Sequence, residues 1–268
     1  MQKRKIAHEG KPFTVIRSAW TRELELEVRG HIDGESSGHD PSHAFRVRDL
    51  AVRIAAVIGA DTEVVEAAAL LHDIGHGTGR TDHAKRGAKL AAETLSKCGF
   101  PGDKISAVVA CIEHHHWKPG RAGDPSKPTA EYQAFADADR LDALGAVGIA
   151  RTFAFGGAHG RAIWNPVAEA MPQGPYGISS IHHFYDKLLQ LPNDMYTEPA
   201  RRLAARRVAV MEEFLRMFYL EWGTQDFELA DGAVKPRFSS NTLSKGAIKV
   251  RNRVRRVPAS ILHPNPIN

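Results

Sequence analysis

Apolar residues recur at helical spacing through most of the chain between residues 41 and 222. Asp40 is a good N-cap and Pro41 suits the first position of a helix, so a helix is predicted to begin here. Its apolar stripe contains Val47, Leu50, Ala51, Ile54, Ala55 and Ile58. A second helix is predicted after the N-cap Asp61, ending at Gly75. Its stripe contains Val65, Ala68, Ala69 and His72.

Further helical periods predict an all-α bundle of roughly eight to ten helices. Two are expected near residues 180–190 and 198–222, and no run of alternating apolar residues favours a sheet. Residues 155–179 look irregular and are a candidate lid or substrate loop. We expect an N-terminal segment over residues 1–30, the helical domain over 31–223, and a basic C-terminal tail over 224–268.

Four polar residues lie on these apolar faces, where burial is costly unless they are paired or bound to a metal. They are His43, seven residues before Leu50; the adjacent pair His72 and Asp73; and Asp139, on a third apolar stripe. Any one of them alone is best explained as a hydrogen-bonded core residue. Together, two histidines and two carboxylates directed into one core predict a divalent metal site.

The chain resembles the HD-domain metal-dependent phosphohydrolases, whose metal ligands follow the order His…His-Asp…Asp. The resemblance rests on SGHDPSHAFRV, EAAALLHDIGH, DHAKRGAKLA, FADADRLDALGAVGIARTFAFGG and IHHFYDKLLQL, over about residues 37–220. It is strongest to the small bacterial HD hydrolases represented by the YpgQ/YedJ-like nucleotide pyrophosphohydrolases. Asp139 matches the aspartate of the family's ADRL element, in preference to Asp137 and Asp142, and it is in phase with Phe135 and Ala136.

The resemblance implies that His43, His72, Asp73 and Asp139 bind one or two divalent ions: Mn, Fe, Co, Ni or Mg. The implied activity is hydrolysis of a nucleotide, or of another small phosphate ester or anhydride, by a metal-activated water. Asp73, beside the ligand His72, would also orient that water.

Two more histidines are candidate catalytic residues. His83 opens HAKRGAKLA, which looks like a segment of HD-GYP phosphodiesterases, and His115 is in phase with Val108 and Ile112. In binuclear HD proteins, histidines at such places bind a second metal. In mononuclear relatives they contact phosphate or transfer protons. Solvated histidines at helix ends are the simpler alternative, and His114 or His116 could take the place of His115.

Four cations near the motifs could bind phosphate: Arg46, Arg140, Arg151 and Lys187. Each is otherwise an ordinary ion-pair partner.

The net charge of +5 is unevenly distributed. Residues 232–268 contain eight Lys or Arg and no Asp or Glu, which leaves 28 basic and 31 acidic residues in the remainder. The tail is therefore expected to be a solvated or protomer-wrapping extension, with weak polyanion binding as the alternative. No apolar run is long enough for a membrane span, and no secretory signal is recognisable. Together with only two cysteines, Cys98 and Cys111, this favours a cytoplasmic protein whose oligomeric state is open.

Two other classes of function stay open at this point. One is a di-iron oxygenase on the HD scaffold, like myo-inositol oxygenase, for which His83 and His115 would supply the second iron site. The other is a nucleotide-sensing or nucleic-acid-binding HD module, suggested by the basic tail. A full set of hydrolytic ligands favours the phosphohydrolase over both.

Overall fold

The computed structural model describes residues 18–32, 40–75, 83–114, 127–165 and 179–224. These residues form nine α-helices, which confirms the predicted all-α class. The helices are α1 (Ala19–Ile32), α2 (Pro41–Ile58), α3 (Thr62–Leu71), α4 (His83–Lys97), α5 (Ile105–Glu113), α6 (Ala130–Asp142), α7 (Gly145–Ala158), α8 (His182–Asp186) and α9 (Glu198–Trp222). Two 3₁₀ helices, Gly102–Lys104 and Leu188–Asp194, join them. In the part of the chain described, extended pairing is limited to one isolated bridge, between Ala162 and Ser179.

The described residues divide into two compact units, one up to Asp139 and one from Arg140 onward. In the first unit, α3 is central: α2, α5 and α1 pack against it, and α4 packs on α5. The largest fully buried side chains of this unit are Leu24, Leu70, Leu71, Leu95, Ile112 and Phe135. This core surrounds the helix that leads into His72 and Asp73.

Helix α1 corrects the expectation that residues 1–30 lie outside the helical body. Its buried residues Trp20, Leu24 and Val28 are spaced four apart, so they form one apolar stripe. Trp20 meets the ring of Phe100 edge-on, with 4.9 Å between the ring centroids. Charged residues surround this narrow stripe in the sequence, so the apolar period is too weak to predict the helix. In the structure, α1 packs into the first unit.

The start of α3 is fixed by a polar network. Asp61 Oδ1 accepts hydrogen bonds from the backbone N–H groups of Glu63 and Val64, at 2.9 and 3.3 Å. Lys104 Nζ lies 2.7 Å from Asp61 Oδ2, and the Asp61 N–H donates to Glu131 Oε1 of α6 at 3.1 Å. The predicted N-cap is therefore present.

The end of α3 differs from the prediction. The helix ends at Leu71, and residues 72–75 form a turn, so Gly75 is not the end of the helix. His72 is the C-cap residue and keeps a helical conformation, with φ −59° and ψ −33°. His72 and Asp73 therefore project from the end of a buried helix.

In the second unit, α7 packs against α9. Gly145, at φ +75°, opens α7, and a Cβ there would meet the Arg207 side chain of α9 at 3.1 Å. Helix α9 begins after the N-cap Thr197 and ends at Trp222, as the periodicity predicts. The expected irregular segment 155–179 begins later than predicted because α7 continues to Ala158, and residues 166–178 lie outside the described part.

No helix in the described ranges is both long enough and apolar enough to cross a membrane. The predicted tail, residues 224–268, lies outside the described residues except for Thr224.

Candidate metal centre

Three elements of the first unit carry the four candidate ligands. His43 is the third residue of α2, and its own N–H donates to the N-cap side chain, Asp40 Oδ1, at 3.0 Å. His72 and Asp73 follow α3, and Asp139 lies on α6. The side chains of His43, His72 and Asp73 are 2%, 1% and 4% exposed, so water cannot compensate their polar atoms.

The candidate ligand atoms lie around one point. The two imidazole Nε2 atoms of His43 and His72 are 3.1 Å apart. Asp73 Oδ2 is 3.5 Å from the first and 3.3 Å from the second. Asp139 Oδ1 is 3.5 Å and 3.8 Å from the same two nitrogens. The structure thus brings together all four residues singled out from the sequence.

The orientation of His72 is fixed by its backbone. Its Nδ1–H donates to the Ala69 carbonyl at 2.9 Å, which leaves the Nε2 lone pair of a neutral ring directed at the other three residues. Burial alone would lower the pKa of His72, but the carboxylates of Asp73 and Asp139 outweigh it and raise that pKa to about 9. The cluster therefore favours a positive charge at its centre.

The separations fit a bound metal ion. Ligand atoms about 2.1 Å from one ion lie about 3.0 Å apart at octahedral angles and about 3.4 Å apart at tetrahedral angles. The observed separations of 3.1 to 3.8 Å fall in or just above this range. Neutral imidazole nitrogen and carboxylate oxygen suit a borderline or hard divalent cation. Ligand atoms of His43, His72 and Asp73 all lie within 4.8 Å of one another, close enough to bind one ion together.

Asp139 differs from its neighbours on α6. Its side chain is 26% exposed, far more than the other three, so the cluster is open to solvent beside it. Asp142, which the sequence also offered, is instead paired with Arg151 at 3.0 Å in the second unit. Asp137 is fully buried. Asp139 Oδ1 lies within 3.8 Å of both histidine Nε2 atoms.

Phe135, one turn before Asp139, forms an apolar wall beside the cluster. The centroids of the Phe135 and His72 rings are 5.6 Å apart, and Phe135 is fully buried. Helical periodicity predicts that Phe135 belongs to the hydrophobic core. Its contact with His72 could not be foreseen, because the two residues belong to different helices.

Three of the four candidate cations make local side-chain contacts. Arg46 Nη1 donates to Ser42 Oγ at 2.8 Å, and Arg140 Nη1 donates to the Asp194 carbonyl at 2.9 Å. Arg151 is engaged by Asp142, as described. Lys187 directly follows α8. These contacts give Arg140 and Arg151 a structural role within the second unit.

The candidate catalytic histidines are largely outside the described part. His83 opens α4, but its side chain is not described, and His115 and His116 lie outside the described residues. His114 Nδ1 donates to the Ala110 carbonyl of its own helix at 3.0 Å, so its ring turns back along α5. The Tyr132 hydroxyl donates to the His114 carbonyl at 2.9 Å and fixes the end of α5 immediately before His115.

Cys111, one of the two cysteines, is a buried free thiol. Burial, together with the negative charge of Glu131, raises the pKa of Cys111 to about 12. The thiolate that a metal requires is therefore disfavoured at neutral pH.

Comparison with known proteins places this centre in a family. The HD domain matches residues 42–144, which contain all four candidate ligands. The uncharacterized protein YpgQ of Bacillus subtilis is 35% identical over 194 residues, which are 72% of this chain and 89% of YpgQ. The chain belongs to the HD-domain family.

Solved structures support the same assignment for this HD protein. A Lactobacillus plantarum protein matches with a TM-score of 0.65 and 32% identity, covering 78% of this chain and 100% of its own. The complex of Bacillus subtilis YpgQ with ADP matches with a TM-score of 0.59 and 33% identity, covering 75% and 97%. An HD-superfamily hydrolase of Bacillus thuringiensis matches with a TM-score of 0.57 and 32% identity, covering 76% and 96%. The fold is that of the HD-superfamily hydrolases.

Proposed function

We propose that this HD protein is a divalent-metal-dependent phosphohydrolase that acts on a nucleotide. The observation that carries the proposal is the group of two imidazoles and two carboxylates, three of them buried, in which each carboxylate lies 3.3–3.8 Å from both imidazole nitrogens. His43, His72, Asp73 and Asp139 would hold that ion. When bound, it supplies Lewis-acid chemistry, lowering the pKa of a water and polarising a phosphoryl oxygen.

The side chains around the centre have separate tasks in this proposal. The Ala69 carbonyl keeps the His72 ring in the tautomer that presents Nε2. Asp73 Oδ2, within 3.5 Å of both imidazoles, orients the attacking water. Phe135 excludes solvent behind His72, and the more open side chain of Asp139 marks the side from which a substrate enters. We assign His83 and His115 to phosphate contact, proton transfer or a second metal.

A nucleotide substrate is supported by YpgQ, which has been crystallised with ADP. Manganese is our first choice of metal, because mixed imidazole and carboxylate ligands suit it. The free thiols of Cys98 and Cys111 support a reducing compartment, the cytoplasm. The di-iron oxygenase and the nucleic-acid-binding module depend on the His83 side chain, His115 and the tail, which lie outside the described part. No observation among the described residues favours either of these alternatives.

The test is release of phosphate or pyrophosphate over a panel of nucleotides with Mn²⁺, Co²⁺, Ni²⁺ and Mg²⁺. We expect His72→Gln and Asp73→Asn to lose bound metal and to lower turnover by more than about a hundredfold, since even outer-shell partners cost about 10- to 100-fold. The matched controls are His31→Gln and Asp103→Asn, exposed residues of the same unit, which should keep both properties. Full turnover by the His72→Gln protein, or by a metal-free enzyme, would refute the proposal.

A further inference from the structure

A short extended pairing in the second unit places a half-buried arginine beside α8. The Ser180 N–H donates to the Ala162 carbonyl at 2.8 Å, and the Ile181 N–H donates to the Ile163 carbonyl at 3.0 Å. This pairing joins the chain after Arg161 to the residues that lead into His182. The backbone of Arg161 is itself fixed, because its N–H donates to the Gly156 carbonyl at 2.7 Å.

The guanidinium of Arg161 has an unsatisfied donor. Its Nε is buried and has no hydrogen-bond acceptor among the described residues. Its Cζ lies 5.4 Å from the centroid of the Phe155 ring, and no described carboxylate lies within ion-pair distance. A buried donor without an acceptor costs free energy, and an unseen water or ion is a common explanation.

The carboxylate that interacts with Arg161 is already engaged by a histidine. Asp186 is the carboxylate of this group, and its Oδ1 already accepts from His183 Nδ1 at 3.0 Å. Burial would raise the pKa of Asp186, but His183, His182 and Arg161 together hold it below the usual range. Burial also lowers the pKa of Arg161, which Asp186 only partly offsets. One carboxylate therefore faces an arginine and two histidines.

From these contacts we propose that Arg161 forms a binding site for an oxyanion of the phosphate class. A guanidinium presents two parallel N–H donors that match two oxygens of a phosphate, and the Nε donor is one of the pair. The anion could be free phosphate or a phosphate group of a nucleotide. The proposed anion site does not depend on metal-dependent hydrolysis, because it contains no candidate metal ligand.

The test is calorimetric titration of the full-length, metal-free protein with inorganic phosphate, ADP and adenosine. We expect phosphate and ADP to bind and adenosine not to bind. Arg161→Gln should weaken both anions by about tenfold or more, the size of a lost charge-assisted hydrogen bond. Arg161→Lys keeps the positive charge but lacks the two parallel N–H donors, so it should weaken the binding of both anions by several-fold. It replaces Arg161→Gln as the test variant if that variant does not fold. Phosphate bound like ADP identifies the phosphate group itself, whereas ADP bound without phosphate identifies a nucleotide phosphate.

Two comparisons keep the proposal falsifiable. Arg202→Gln removes an exposed arginine of the same unit, which lies 3.6 Å from Glu198, and should leave affinity for both anions unchanged. Equal losses in Arg161→Gln and Arg202→Gln would show that only net charge matters and would overturn the site. Unchanged affinities in a folded Arg161→Gln protein would overturn it too. Manganese binding should be equal in all these variants, which separates this site from the metal centre.

Discussion

Replacing Asp61 by alanine should lower the free energy of unfolding by about 2 kcal/mol. Its carboxylate caps two backbone N–H groups of α3, and loss of such a cap costs about 1–2 kcal/mol. It also pairs with Lys104 at 2.7 Å, but both side chains are about one-third exposed, so this pair adds only about 0.2–1 kcal/mol. The expected fall in Tm is roughly 4–8 °C.

Asp61→Asn separates the two contributions. Asparagine caps a helix about as well as aspartate but cannot form the ion pair, so this variant should lose only about 0.2–1 kcal/mol. The measurement is urea unfolding followed by far-ultraviolet circular dichroism, for both variants and the wild-type protein. Equal destabilisation by Asp61→Asn and Asp61→Ala would refute the assignment of the larger contribution to the cap.

The pH dependence follows from the direction of the Asp61 shift. Burial would raise the pKa of Asp61, but Lys104 and the capped N–H groups more than offset it and hold that pKa below its usual value. A carboxyl with a lowered folded pKa stabilises the protein above its unfolded pKa of about 3.9, and this is lost as the pH falls through the folded pKa. The advantage of wild type over Asp61→Asn should therefore be full at pH 7 and shrink below about pH 4. Metal affinity should be unchanged, because α3 has ten residues and separates the cap from His72 by about 15 Å.

Three further predictions concern other parts of the fold. Cys98 should react with iodoacetamide in the native protein, while Cys111 should react only after unfolding, because burial raises the pKa of its thiol to about 12; mass spectrometry measures both. Phe135→Ala should cost about 3–5 kcal/mol in unfolding free energy and weaken metal binding through the loosened imidazole beside it, whereas Phe135→Leu should cost much less. Gly148→Ala should destabilise the protein by about 1–3 kcal/mol, because a Cβ there would lie 2.2 Å from a backbone oxygen. Gly157→Ala, where a Cβ would have nothing within 4 Å, should instead stabilise α7 by about 0.5–1 kcal/mol, and thermal unfolding of the two variants measures both effects.

The sequence predicted those parts of the fold that depend on local chemistry. The caps Asp40 and Asp61 are where their side chains suggested, because an N-cap needs only a short acceptor two or three residues before the N–H it binds. Helix α9 has the predicted bounds for the same local reason. Helix α1 was missed, since its apolar stripe is one residue wide per turn. The division near Asp139 was also missed, since it depends on contacts between distant residues.

For the candidate site, sequence identified residue types better than contacts. Polar residues on apolar stripes selected His43, His72 and Asp139 because burial of such groups needs compensation. The resemblance to HD proteins chose among the aspartates of α6. The hydrogen bond that fixes the His72 ring and the aromatic wall of Phe135 could not be predicted, because both depend on the exact end of α3 and on helix packing.

The pairing of residues 162–163 with 180–181 has a consequence for engineering and for divergence among relatives. It holds the two ends of the intervening chain together by backbone hydrogen bonds, whatever side chains the intervening residues carry. The end of α7 and the start of α8 are therefore joined by main-chain bonds, which a substitution of the paired side chains does not remove. Side chains at these paired positions can be exchanged to try new specificities while the bonds that join the two helices are kept.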